Sequence, residues 1–421
     1  LRPSYGGHIS LLKTVNPFAT MSDIPPEIIS DILSRLPVIS LIKFRCVSKS
    51  FKALIDSPKF IQAHFDQQGL KPNKLIIKAH NKADNLFFLD FSSVSSTQNQ
   101  HPKGLNHPLK QLYGPTQVLG CCRGLVLISN NVCDNGVWNP STKRFRRLPV
   151  CKFELSRPPR GRGPGLTQIC GGFGYDKVGD DFKVVTISQW YHPDDEPSLV
   201  CEVMVYSLRF GGWNKVRGCC YWLLKEENGT YAGGALYWIV TKEPSRRSSP
   251  LVLVGFDLGT ERFDEVAFPE DLGNPLQLNL ASLGEHLCLV SGYVACTNGV
   301  SHVLDHVDVW MIKGGYGEKR SWVKMFSVEQ LEGRQHFSFL RPIAYSGMGK
   351  EVLLEMDNWK FLWYSLEKKS LKHAKFSGVL DPFESFASLG TLMPLYYGRG
   401  DGKDRKKGTE ERDDLVMDEK K

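Results

Sequence analysis

The amino-acid sequence predicts a mainly β protein with a small all-α unit at its N-terminal end. Residues from Ser22 to about Phe65 carry apolar side chains at helical spacing. Beyond about Asn73 the pattern switches to short apolar runs divided by Gly, Asn, Asp and Pro, the mark of many short strands. A third observation sets the architecture. The runs recur in one order around the aromatic anchors Trp138, Tyr206, Phe256, Trp310 and Tyr364, at a spacing of about 50 residues, which is the length of a propeller blade. The expected fold is therefore three short helices followed by a propeller-like β domain of short four-stranded units.

The helices come first. Ile24, Ile28, Ile32, Leu33 and Leu36 share helical spacing, with Ser22 or Asp23 as N-cap and Pro25 and Pro26 in the first turn, where missing N–H groups cost little. Pro37 ends this helix. A second apolar set, Leu41, Ile42, Phe44 and Val47, follows before Ser48, which caps a third helix carrying Phe51, Leu54 and Ile55; Pro58 opens a last turn with Phe60 and Phe65. So short a segment encloses a very small core and needs a staple or a partner. Ile28 beside Ile29, and Ile32 beside Leu33, leave an apolar stripe once that core is filled. Either the rest of the chain or another protein must cover it.

The strands follow. GCCRGLVLISN precedes VWNPSTKRFRRLP, FGYDKVGDDFKVVTIS precedes VMVYSLRFGGWNKV, and three less exact copies run on to FLWYSLEKKSLKHAKF. A first blade from Lys74 (KLIIKAH, NLFFLDFSS) and a closing strand near Phe386 to Leu392 bring the count to six and close the ring, leaving only short edges exposed.

Composition narrows the function. The formal charge of +8 is modest for 421 residues and spread along the chain, so nucleic acid is not an expected partner. The 11 cysteines include the adjacent pairs Cys121/Cys122 and Cys219/Cys220, show no C-x-x-C spacing, and read as reduced, mostly buried thiols. No apolar run is long enough to span a membrane, so a soluble protein of the cytoplasm or nucleus, or both, is expected. Residues 1–20, ahead of Met21 as a candidate start, read as an unstructured extension, and 398–421 as a disordered charged tail.

Catalytic chemistry is hard to find. His302, Asp305, His306 and Asp308 precede a strand, where they alternate faces rather than converge on a metal. Asp194, Asp195 and Glu196 lie between Pro193 and Pro197 in a loop, and Gly171-Gly172-Phe173-Gly174 lacks the lysine and helix of a phosphate loop and reads as a strand-leading turn. Lys143 to Arg147 and Arg157 to Arg162 could form a positive rim for acidic targets, although such runs are more often ordinary solvated turns. Lys403 to Lys407 is a weak nuclear-import candidate. No cofactor or metal is expected.

The run IPPEIISDILSRLPVISLIKFRCVSKSFKALIDSPKF resembles the F-box of plant F-box proteins along its whole length. The resemblance implies insertion into a Skp-type adaptor, and through it a cullin, by Ile24, Pro25, Ile28, Ile32, Leu33, Leu36, Pro37, Leu41, Phe44 and Val47. Three positions depart from the commonest pattern: Ile24 for leucine, Ile39 for lysine and Phe51 for tryptophan. The rest resembles the C-terminal F-box-associated, kelch-like domain of the same proteins, carried by GCCRGLVLISN, VWNPSTKRFRRLP, FGYDKVGDDFKVV, GGALYWI and FDLGTERF. The implied organisation is a three-helix F-box at 21–66 and a β domain at 73–397. The implied role is a non-catalytic substrate-recognition subunit of an SCF-type ubiquitin ligase that recruits a target protein for ubiquitination. Two alternatives stand beside it: an F-box binding protein acting outside a ligase, and, least favoured, a propeller enzyme.

Overall fold

The computed structural model describes residues 24–69, 72–80, 86–90, 101–110, 115–130, 134–153, 166–192, 198–223, 228–242, 249–294, 304–314, 320–329, 337–374 and 382–395. The chain divides into two compact units, the first ending at Gln68. The expectations for 1–20 and 398–421, for Asp194 to Glu196, for Arg157 to Arg162 and for Lys403 to Lys407 lie outside the described residues.

The first unit has four helices rather than three: α1 (Pro26–Ser34), α2 (Val38–Phe44), α3 (Lys49–Ile55) and α4 (Pro58–Gln68). The segment read as a closing turn is an 11-residue helix. Ser57 Oγ accepts from the Phe60 N–H at 3.3 Å, and Phe60, His64 and Phe65 bury one face. At the start, Pro25 occupies the N-cap without a side-chain cap, and Ser22 and Asp23 lie outside the described residues. Ser48 caps α3 as expected, accepting from Phe51 N–H at 3.1 Å. Leu33, Val38, Leu41, Phe51, Ile55, Phe60 and Phe65 form the core. His64 lies among them with Nε2 2.9 Å from the Leu36 carbonyl oxygen.

The second unit is a six-bladed propeller. Blade one contains β1 (Lys74–Ala79), β2 (Leu86–Asp90) and β3 (Lys103–Gly104), and blade two β4 (Gln117–Cys122), β5 (Leu125–Ser129), β6 (Asn135–Asn139) and β7 (Arg144–Arg147). Blade three contains β8 (Leu166–Asp176), β9 (Asp181–His192), β10 (Ser198–Ser207) and β11 (Gly212–Val216). In blade four the innermost strand is broken into β12 (Trp222–Leu223) and β13 (Thr230–Ala232), both paired with β14 (Ala235–Thr241), ahead of β15 (Leu251–Asp257) and β16 (Arg262–Val266). Blade five contains β17 (Gln277–Leu283), β18 (His286–Tyr293), β19 (His306–Lys313) and β20 (Ser321–Glu329). Blade six contains β21 (Leu340–Tyr345), β22 (Glu351–Met356), β23 (Lys360–Ser365) and β24 (Ser370–His373). The last strand, β25 (Phe383–Ser388), pairs antiparallel with β1 and completes blade one. Innermost strands touch in succession around the ring and β21 meets β25, so closure joins the two ends of this unit. The closing strand was expected near Phe386 to Leu392; pairing with β1 sets its register three residues earlier.

One local device repeats. In five hairpins a buried aromatic residue is followed by a short polar residue that ends its strand: Trp138-Asn139, Tyr175-Asp176, Tyr206-Ser207, Phe256-Asp257 and Tyr364-Ser365. Each polar residue pairs with the residue five positions later. Its side-chain oxygen accepts the N–H three positions on, from Thr142, Gly179, Phe210, Thr260 and Lys368, at 2.6 to 3.2 Å. The fourth position takes positive φ in all five: Lys143, Asp180, Gly211, Glu261 and Lys369. A left-handed non-glycine residue costs about 1 kcal/mol, and the cap bond contributes about the same. The polar cap, rather than a glycine, therefore defines the turn.

Two readings are corrected. Gly171 to Gly174 lie within β8 rather than in a turn. A Cβ on Gly172 would stand 2.7 Å from Leu236 Cδ1, and one on Gly174 would stand 2.7 Å from Leu258 Cδ1 and strike the Tyr231 ring. These glycines let blade four approach blade three. The cysteines are not mostly buried: of those described, Cys122 and Cys288 are buried, Cys121, Cys151, Cys201 and Cys219 half-buried, and Cys46 and Cys220 exposed.

Candidate functional site

The helical unit presents the clearest unpartnered surface. Ile24, Ile28 and Ile32 follow at four-residue intervals along α1 and its lead-in, so they form one stripe, and they are 43%, 50% and 52% exposed. Pro25, Pro37 and Val47 are also exposed, while Leu36 and Phe44 are half-buried. Leu33 and Leu41, by contrast, are buried within the unit's own core. The ten residues expected to dock thus divide into surface groups and groups that hold the surface in place. Ile39 is exposed as well, beside the buried Val38, and adds apolar surface that motif matching registered only as a departure. Its signal was present in the sequence as two adjacent apolar residues in one helical turn, of which a small core can take only one.

The scaffold beneath the stripe is fixed by polar and aromatic contacts. Phe44 packs edge-on against Phe51 with centroids 6.1 Å apart. Arg45 and Asp56 form an ion pair at 2.6 Å that links the end of α2 to the end of α3. Burial holds His64 below its ordinary pKa, against the opposing pull of the Leu36 carbonyl. A neutral ring suits its place between α4 and the turn after α1.

The propeller axis is the second place to examine, because a propeller enzyme would place its chemistry there. A cavity of about 480 Å³ is lined by residues including Lys78, Trp238, Arg341 and Glu384. Its charged groups are paired: Lys78 Nζ lies 3.4 Å from Glu384, and Arg341 lies 3.0 Å from Glu355, behind the lining, while donating to the Ser385 carbonyl at 2.8 Å. Glu355 also accepts the Ser385 N–H at 2.9 Å. Burial opposes the charge on Arg341, and Glu355 and Glu384 more than offset it. The bonds from Arg341 and Glu355 to Ser385 bind β25 to blade six and serve closure. Elsewhere, Asp308 is buried and paired with Lys324 at 2.7 Å, His306 Nδ1 lies 3.1 Å from Asp305, and His302 lies outside the described residues. Among the described residues no group of three or more His, Cys, Asp or Glu side chains could hold a metal.

The basic run Lys143 to Arg147 is more structural than the rim reading allowed. Arg146 is half-buried and donates to the carbonyls of Leu208 (2.5 Å) and Leu395 (3.0 Å) and to the Tyr206 hydroxyl (3.1 Å). Arg147 pairs with Asp134 at 3.2 Å. No helix among the described residues is long and apolar enough to cross a membrane.

The chain thus combines a small helical unit bearing an exposed apolar stripe with a closed β-propeller domain. Residues 21–62 match the F-box domain and residues 74–393 the F-box associated beta propeller domain. The chain belongs to the F-box proteins that carry an F-box associated propeller, with the F-box first and the propeller after it. It is 34% identical over 391 residues to the F-box protein CPR1 of Arabidopsis thaliana, covering 89% of each chain. It is 28% identical to an F-box/kelch-repeat protein of the same plant, over 82% of this chain and 88% of that one. Among solved structures, an oligogalacturonate lyase in complex with manganese aligns with 69% of this chain and 70% of its own, at TM-score 0.37 and 10% identity.

Proposed function

We propose that this protein is the non-catalytic substrate-recognition subunit of an SCF-type ubiquitin ligase, binding a Skp-type adaptor through its F-box and a target protein through its propeller. The observation that carries the reading is the exposed stripe Ile24, Ile28 and Ile32 on a helix whose other face, through Leu33, is already satisfied. Such a stripe suits a hydrophobic groove, with a few aliphatic anchors carrying most of the affinity. Pro25, Pro37 and Val47 extend the contact, Leu36 and Phe44 border it, and Leu33 and Leu41 support it from beneath. The adaptor would bring a cullin, and catalysis would belong to other subunits acting by proximity. The site of action proposed is the cytoplasm, the nucleus or both.

The propeller supports the second half of the role through its two unlike ends. The five capped hairpins lie at one end of the ring, where Asn73 Oδ1 accepts the Gly390 N–H at 2.9 Å and the segment after β25 crosses Asn139. Chain entry and exit occupy that end. At the other run the connections between blades, with Val150 and Leu276 exposed on them, and the β22–β23 turn of blade six, where Trp359 is exposed. Target contact is proposed there, since loops on a rigid scaffold are where binding residues concentrate.

The test is co-purification of the full chain with a Skp-type adaptor and cullin, beside the double variant Ile28→Asp with Ile32→Asp. Both positions are exposed, so circular dichroism should match the wild type while adaptor capture falls at least tenfold. Equal capture by the two proteins would sink the docking assignment. Capture of adaptor without cullin would favour the reading in which the protein acts outside a ligase.

A further inference from the structure

Cys201 and Cys219 stand apart from the other described thiols. Their sulfur atoms lie 3.3 Å apart although the residues are 18 positions apart in sequence. Cys201 is on β10, and Cys219 is in the connector from blade three to blade four, three residues before β12. The approach is built into the backbone. A Cβ on Gly218 would stand 2.5 Å from the Cys201 carbonyl oxygen, so the connector lies directly on β10 at this point. Gln189, cross-strand neighbour of Cys201, is fully buried and clamps the same connector. Its Nε2 donates to the Tyr221 carbonyl at 2.5 Å and lies 3.6 and 3.8 Å from the two sulfurs, while its Oε1 accepts the Leu223 N–H at 3.0 Å.

We propose that Cys201 and Cys219 form a reversible disulfide when the protein meets a hydroperoxide, a modification that staples the connector between blades three and four. The two sulfurs, already in contact at 3.3 Å, need to close by about 1.3 Å to reach a bond of about 2.0 Å. Their chemistry is asymmetric. The hydrogen bond from Cys219 holds the Cys201 thiol below its ordinary pKa, with the Gln189 amide adding to the effect, whereas that bond and burial push Cys219 up. Burial instead pushes Cys122 and Cys288 up to about 12 and Cys151 up to about 11. Cys201 is therefore the attacking thiolate.

In the first step the Cys201 sulfur attacks a peroxide oxygen. An S–O bond forms, the O–O bond breaks, and the leaving oxygen takes a proton, which leaves a sulfenic acid. In the second step the Cys219 sulfur attacks the Cys201 sulfur, the S–O bond breaks, and hydroxide departs with the Cys219 proton as water. Two thiols lose two electrons and two protons, and the peroxide gains them.

The experiment treats the reduced full chain with hydrogen peroxide, blocks remaining thiols with N-ethylmaleimide, and maps peptides by mass spectrometry. The expected product is a Cys201–Cys219 linked peptide two hydrogens lighter than its parts, abolished by dithiothreitol. In Cys219→Ser, dimedone should instead trap sulfenic acid on Cys201. Oxidation of the exposed Cys46 and Cys220 while Cys201 and Cys219 stay reduced would overturn the proposal. So would equal linkage of Cys201 to Cys220 in the wild type, a result that needs no variant to fold.

Discussion

Asn139 offers the sharpest test of how the propeller is held closed. Its side chain is fully buried and makes four hydrogen bonds. Oδ1 accepts from Ser141 N–H (2.9 Å) and Thr142 N–H (3.2 Å), capping the hairpin, and Nδ2 donates to the carbonyls of Thr391 (3.2 Å) and Met393 (3.0 Å) after the last strand. The two N–H groups belong to half-buried residues and can regain water, so their loss costs about 0.5–1 kcal/mol each. The two carbonyls belong to buried residues and lose about 1–2 kcal/mol each when left unpaired. Asn139→Ala should therefore destabilise the propeller by about 3–6 kcal/mol, read from urea unfolding followed by tryptophan fluorescence. Asn139→Asp keeps the hairpin cap but sets a carboxylate against two carbonyls, so it should cost at least as much. At Asp257, which caps the equivalent hairpin through Thr260 N–H without the second pair of bonds, Asp257→Asn should change stability by less than about 1 kcal/mol. If Asn139→Asp unfolds within about 1 kcal/mol of the wild type, the bond from Asn139 to the terminal segment carries no stability and the argument fails.

Four further outcomes are expected. Leu41→Ala should cost about 2–5 kcal/mol, comparable with the whole stability of so small a unit, and should abolish adaptor binding by melting the helices. Ile28→Ala should leave helicity unchanged within about 0.5 kcal/mol and weaken adaptor binding about tenfold, so comparing circular dichroism with affinity separates core from contact. His64 has a folded pKa below its unfolded value of about 6.5 because of burial. The unfolded chain takes up the proton first as pH falls. Its contribution to stability is thus complete above about pH 6.5 and lost as pH drops through that value toward the folded pKa. Hydrogen exchange of the α4 amides, corrected for intrinsic rates, should show this slope in the wild type and lose it in His64→Gln. Finally, Gly174→Ala forces a methyl group toward Leu258 and the Tyr231 ring and should cost about 1–3 kcal/mol. Gly212→Ala, with open space around it, should be tolerated, and similar denaturation midpoints for the two would refute the inter-blade packing account.

Much of this molecule was legible from local pattern. Helical spacing in 24–55, the Ser48 cap, the blade period of the β domain and the aromatic anchors all follow from interactions between residues close in sequence. Trp138, Tyr206, Phe256, Trp310 and Tyr364 each occupy the third strand of a blade and are buried. The exposed apolar stripe could likewise be anticipated from Ile28 beside Ile29 and Ile32 beside Leu33, because a core of this size cannot absorb both members of each pair. What local pattern left open was which member turns inward. Packing against α4 decided that, and α4 was itself underestimated because Phe60, His64 and Phe65 bury their helix face only once the earlier helices exist.

The remaining features depend on contacts between residues far apart in the chain, where spacing carries no signal. Gly171 to Gly174 look like a turn until Leu236, Tyr231 and Leu258 of the next blade are in place. Arg146 looks like part of a charged rim until the carbonyls of Leu208 and Leu395 converge on it. Cys201 and Cys219 show no cysteine motif, and only Gly218 lying on β10 brings their sulfurs together. By itself the sequence determined the first three helices, the Ser48 cap and the blade period, because backbone preference and hydrophobic period act over a few residues. The tertiary structure alone decided closure, inter-blade contacts and the pairing of buried polar groups, because these need surfaces that exist only after the blades have formed.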